Sequence, residues 1–205
     1  RDGIEGTGHH LIVERNAVYG HDDGSFTTGL YIRDGIARQN RVYENGRGIE
    51  ADSGARVTDN RVYGHNEEGI VSFGFSDDVI DGNFIYDNKV GIEISGDNKI
   101  ARNNIVYNND DFGIRVSGLD GGVVRNNTVF QPVGTAISVE GFSRDNEILN
   151  NIFWVNAGFN VAIESDATTD LVLDYNLYNL GNDPNARQGD WQGAFIDAFP
   201  DWQST

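Results

Sequence analysis

Glu50 and Asp52 stand two residues apart in Gly48-Ile49-Glu50-Ala51-Asp52. On an extended strand that spacing puts both carboxylates on one side, about 7 Å apart, within the range inverting glycosidases use. The same alternation in Gly29-Leu30-Tyr31-Ile32-Arg33 aligns a phenol with a guanidinium. That pair suits a lyase, the arginine neutralising a uronate while the phenol moves protons. Phe73, Glu93 and Arg115 occupy matching positions in later segments. Tyr31, Arg33, Glu50, Asp52 and Glu93 are therefore the candidate catalytic residues. Tyr31, Arg33, Phe73 and Arg115 are the candidate sugar-binding residues, since rings stack on sugars and guanidinium groups take hydroxyls or carboxylates. The competing reading is a solvated face whose charges do no chemistry.

These residues need an element that presents them in register, and the chain has one. Asn, any residue, an aliphatic or Phe, then an aromatic recurs roughly every 20–25 residues, as in Asn40-Arg41-Val42-Tyr43, Asn60-Arg61-Val62-Tyr63 and Asn104-Ile105-Val106-Tyr107. Gly-Ile pairs at Gly48-Ile49, Gly69-Ile70, Gly91-Ile92 and Gly113-Ile114 interleave with it, continued by Ala136-Ile137 and Ala162-Ile163. A third apolar position lies three residues before each repeat Asn, at Val57, Ile80, Ala101 and Val124 among others. Each pair opens a stretch of alternating side chains, the period of a strand. Three short strands per period without helical periodicity predict one supersecondary unit stacked on itself. The expectation is an all-β parallel β-helix of about eight rungs over residues 1–178. Residues 179–205 break the pattern around Trp191, Phe195, Phe199, Pro200 and Trp202, which predicts an irregular cap over the last rung.

The repeat Asn has a physical task, because stacked amides donate in one direction and accept from the other. A second ladder is expected at His21, Asn45, His65, Asn88 and Asn109, interrupted at Pro132 before Asn156, with the histidines standing in for Asn. The aromatic column from Tyr19 to Trp154 is expected to face outward and stack edge to edge. An Asp also recurs before the repeat Asn, at Asp34, Asp77, Asp97 and Asp120, with Asp78 beside the second. Carboxylates stacked ~5 Å apart repel unless satisfied. Either they cap turns or they form oxygen-rich Ca²⁺ sites.

A net charge of −17 excludes a nucleic-acid binder, which needs a basic face. No apolar run reaches membrane-spanning length. With no Cys, disulfides and thiolate chemistry are absent. High Gly and Asn with strong acidity point to a secreted or cell-surface bacterial protein, and the chain reads as a monomeric piece of a longer one.

The Asn-x-Val-Tyr and Gly-Ile repeats resemble those of the right-handed parallel β-helix superfamily of pectate lyases, alginate lyases and mannuronan C5-epimerases. The repeats are most similar to those of the epimerases and of repeat-rich bacterial surface proteins. The resemblance implies right-handed winding and a substrate groove along the Gly-Ile sheet. It also implies an epimerase motif of the form Tyr-Gly-Phe-Asp-Pro-His-Glu. The nearest segments, Tyr19-Gly20-His21-Asp22-Asp23 and Tyr63-Gly64-His65-Asn66-Glu67, lack its core. The expected function is a module that binds polysaccharide or is displayed towards it. The alternatives are a lyase, epimerase or glycosidase on an extracellular glycan, and an adhesin stalk without a ligand.

Overall fold

The computed structural model describes residues 3–22 and 27–197. Phe199, Pro200, Trp202 and Asp23 lie outside the described residues. Within them the chain forms strands, turns and bends, with no helix. Three sheets share the strands rung by rung. The first runs from Ile4–Thr7 through Arg47–Asp52 and Phe112–Asp120 to Gly158–Ile163. The second and third have eight strands each, ending at Val172–Asp174 and Leu177–Leu180. Pairing between rungs is parallel and in register, as in Arg61↔Phe84↔Ile105.

Alternation within each strand builds the core. Val62, Ile85, Val106 and Val129 point inward from the third sheet, and Ile49, Ile70, Ile92 and Ile114 from the first, all fully buried. Each such side chain contributes about 1.5–3 kcal/mol relative to exposure. The glycine of the Gly-Ile pair is fixed by space: a Cβ at Gly48 would lie 2.2 Å from the Gly69 carbonyl oxygen, and one at Gly91 2.5 Å from that of Gly113.

Turning the coil requires left-handed backbone once per corner. Gln39, Asp59, Asn103, Asn126 and Asn150 each precede a repeat Asn and have φ between 55° and 57°. The turn interrupts the strand ladder, and the Asn side chain repairs it. Asn83 Oδ1 accepts from both the backbone N–H and the Nδ2 of Asn60, while Asn83 Nδ2 donates to the Val57 carbonyl. The pattern repeats from Asn16 to Asn176. In the second ladder Gln131, rather than Asn156, continues from Asn109: its Oε1 accepts the Asn109 N–H at 3.0 Å and its Nε2 returns a bond to the Asn109 carbonyl. The longer side chain spans what Asn spans elsewhere, so no interruption occurs before Pro132.

Two further expectations change. The tyrosine rings stack face to face, not edge to edge: Tyr43–Tyr63, Tyr63–Tyr86 and Tyr86–Tyr107 have centroids 4.8–5.3 Å apart and planes within 12°. Phe130 and Trp154, also register partners, keep the edge contact, with planes at 68°. The segment after residue 178 is also partly regular. Ala186–Trp191 adds a parallel strand to the first sheet, and Ala194–Ile196 folds back antiparallel on it. Trp191 packs on the core and Ile196 is buried, so these strands close that end of the coil.

Candidate functional site

The first sheet presents its outward side chains in columns. Register places Tyr31 beside Glu50, Glu50 beside Val71, Val71 beside Glu93, and Glu93 beside Arg115. Arg33 pairs with Asp52 in the next column. At the last rung the alignment differs from expectation, because Val161, not Ile163, pairs with Ile137. Buried Asn160 takes the place of the small residue, so Ala162 and Glu164 continue the columns.

The candidate residues fall into three groups. In the first, Tyr31 Oη donates to Asp52 Oδ2 at 3.3 Å, and Arg33 Nε lies 3.6 Å from the same oxygen and 3.1 Å from Ser53 Oγ. Loss of water and the Asp52 carboxylate together push the Tyr31 phenol above its ordinary pKa. The Gly74 backbone lies beside this group: a Cβ there would meet Asp52 Oδ1 at 3.2 Å. Gly74 has φ +92° and separates Phe73, 37% exposed, from Phe75, 88% exposed. Two exposed phenylalanines thus flank the backbone that lies beside this group.

The second group contains Glu50, which accepts from Thr28 Oγ1 at 3.1 Å and lies 3.8 Å from Arg47. Arg47 in turn donates to Glu68 at 2.7 Å. Glu50 and Asp52 therefore engage separate partners despite their spacing. Val71, outward by alternation, is only 5% exposed and separates Glu50 from Glu93 in the column.

In the third group Arg115 sits between Glu93, at 3.5 Å, and Glu140. Burial raises the Glu93 carboxyl, opposed by the Arg115 charge. Glu140 opens onto a cavity of about 460 Å³ that sequence reasoning missed, lined also by Phe112, Ser138, Glu164, Asp166 and Asp190. It depends on the added strand at Ala186–Trp191, which carries no copy of the repeat.

The histidines belong to the frame. His65 is buried, its Nδ1 accepting the Asn45 N–H at 3.1 Å and its Nε2 lying 3.3 Å from the Val42 carbonyl. Gly20 and Gly64, beside the two histidines, hold left-handed turns. The tyrosine-glycine-histidine segments are thus turn and ladder.

The aspartates considered for Ca²⁺ are spread among different partners. Asp34 meets His9 Nδ1 at 2.7 Å, Asp120 pairs with Arg144, and Asp77 is exposed. Asp78 accepts from the Gly54 and Ala55 N–H groups, Ser72 Oγ and Lys99 Nζ. Asp97 and Asp120 are register neighbours. Among the described residues no three His, Asp or Glu side chains converge into a group that could hold a metal. Asp34, Asp145 and Asp170 take left-handed turns, a conformation Asp tolerates better than most residues.

Three parallel sheets wound as one coil, with a polar and uncovered first sheet, define a parallel β-helix module. The family described as right handed beta helix region matches residues 47–186, and the chain belongs to it. The winding is right-handed. Among solved structures it is similar to the mannuronan C-5 epimerase AlgE6 A-module of Azotobacter vinelandii, with TM-score 0.71 and 19% identity over 89% of this chain and 57% of that one. The AlgE4 A-module of the same organism gives TM-score 0.68 and 19% identity over 86% and 57%. An alginate lyase from Paenibacillus sp. str. FPU-7 gives 0.55 and 18% over 83% and 79%. The chain thus spans 57% of the length of the two A-modules it matches. No curated protein matches it by sequence. Among the described residues, no helix is long and apolar enough to cross a membrane.

Proposed function

We propose that this chain is an extracellular β-helix module that holds polysaccharide along its first sheet, over Tyr31, Arg33, Asp52, Phe73 and Arg115. One observation carries the reading: Gly74, flanked by the exposed Phe73 and Phe75, lies beside Asp52 of the hydrogen-bonded group of Tyr31, Arg33 and Asp52. Apolar ring faces next to fixed donors and acceptors suit a sugar, which is apolar on its C–H face and polar at its rim. The third sheet offers less, because its tyrosine faces are covered by one another. The solved structures similar in fold include proteins named for mannuronan and alginate, which supports a polysaccharide ligand. An extracellular setting follows from a polymeric glycan.

Holding is favoured over turnover because the carboxylates are occupied. Glu50 turns to Thr28 and Arg47, and Asp52 to Tyr31 and Arg33, so the two carboxylates serve separate partners of their own sheet rather than a common site. The specific support for an enzyme is the Tyr31–Asp52 bond, which keeps the phenol protonated and able to act as an acid. A glycan array followed by product analysis separates the readings. Binding without products supports a holding module, and turnover lost in Tyr31→Phe supports the enzyme. Silence across the array leaves a stalk.

A further inference from the structure

The arginines of the first sheet are already neutralised by the protein's own carboxylates. Arg33 meets Asp52, Arg47 meets Glu50 and Glu68, Arg115 meets Glu93 and Glu140, and Arg187 meets Asp197 at 2.5 Å. A uronate that took one of these guanidinium groups would set a further negative charge beside carboxylates that already neutralise it, and would gain less than it would from an unpaired cation. The cavity at the end of the same face adds to this. Glu164, Asp166 and Asp190 line it and have no cationic partner among the described residues. Glu164 and Asp190 each accept one backbone N–H, from Gly141 at 3.3 Å and Gly193 at 2.9 Å, which leaves lone pairs for sugar hydroxyls. The whole chain carries −17, so the far field repels polyanions too.

We infer that the glycan held by this face carries no acid groups. This rests on the polysaccharide reading above and sets the module apart from a uronate binder. Carboxylates accept the hydroxyls of the sugar, Phe73 and Phe75 take its apolar face, and the arginines stay locked in their ion pairs.

Binding isotherms test this with three hexasaccharide probes: a neutral glucan, chitosan, and mannuronate, at low and at physiological salt without divalent cations. The glucan or the chitosan binds roughly 10-fold or more tightly than mannuronate at low salt, and added salt narrows the gap by screening the repulsion. Asp52→Asn, which releases Arg33, raises mannuronate affinity severalfold, and Glu164→Gln with Asp190→Asn weakens the non-acidic probe. Mannuronate binding as tightly as the others, and weakening with salt, overturns the inference while leaving the polysaccharide reading intact. Failure of every probe, with a silent glycan array, removes that reading and the inference with it.

Discussion

Lys99 and Asp78 are joined inside the coil, Nζ to Oδ2 at 2.9 Å, with both side chains fully buried. Lys99 also donates to the Ser76 carbonyl, while Asp78 accepts two backbone N–H groups and the Ser72 hydroxyl. The pair occupies the corner between the first and second sheets, where Ala55 stands one rung earlier and Gly122 one rung later. Removing one partner of such a pair leaves a buried charge uncompensated. Lys99→Met should cost ~3 kcal/mol or more, whereas Lys99→Met with Asp78→Asn should cost clearly less than that single change. Denaturant titration of both single variants and the double checks this, and a double loss equal to the sum of the single losses would mean the two side chains are not coupled.

The Asn ladder predicts a dependence on position. Asn104 accepts the Asn83 N–H at 2.9 Å and its Nδ2 donates to Asn127 and to the Ile80 carbonyl. Asn104→Ala strands several buried groups and should cost ~3 kcal/mol, at 1–3 kcal/mol for each orphaned group. Asn16, half-buried at the first rung, has no earlier Asn donating to it and should cost ~1 kcal/mol. Thermal melts of both alanine variants measure the gradient.

Acid should unlock one rung first. Burial lowers the His65 pKa from 6.5 to about 4. Because the folded value is depressed, the unfolded chain binds the extra proton between these limits. Stability from His65 is therefore complete above pH 6.5 and is lost as pH falls towards 4, by an amount on the order of 3 kcal/mol. Glu93 acts with the opposite sign: its raised pKa removes stability as pH rises above the ordinary Glu range. His65→Asn, which restores the residue found at Asn45 and Asn88, should flatten the loss of stability between pH 6.5 and 4. A variant with the wild-type slope would contradict the assignment.

Thermal melts test whether a cation acts on the aspartate column. Ca²⁺ and NaCl at matched ionic strength raise the melting temperature equally if both only screen the −17 charge. A larger shift with Ca²⁺, reversed by EGTA and reduced in Asp77→Asn or Asp97→Asn, would establish a site.

Much of the frame was legible because its period is written in residue types. The job of Gly48 recurs at Gly69, that of Asn83 at Asn104 and that of Val106 at Val129, each one rung on, so spacing alone locates them. The departures are single substitutions whose meaning depends on stacking. Gln131 reaches back to Asn109 only in the assembled rung, and Asn160 replaces a small residue where Ala162-Ile163 imitates the repeat. The candidate face was legible as a set of outward residues but not as a network, since the partners of Arg33, Arg47 and Arg115 lie on neighbouring rungs. The cavity at Glu164 and Asp190 was invisible, because its far wall comes from a strand without the repeat.

The central claim is that the first sheet holds the glycan, and binding by paired variants on two faces tests it most directly. Phe73→Ala with Phe75→Ala removes the exposed rings of the first sheet, while Ile105→Ala trims an exposed side chain of the third. Against any glycan bound by the wild type, the phenylalanine variant should lose ~10-fold or more in affinity, and the Ile105 variant should bind as the wild type does. Equal affinity in the phenylalanine variant, or loss only in the Ile105 variant, would place the ligand on another face.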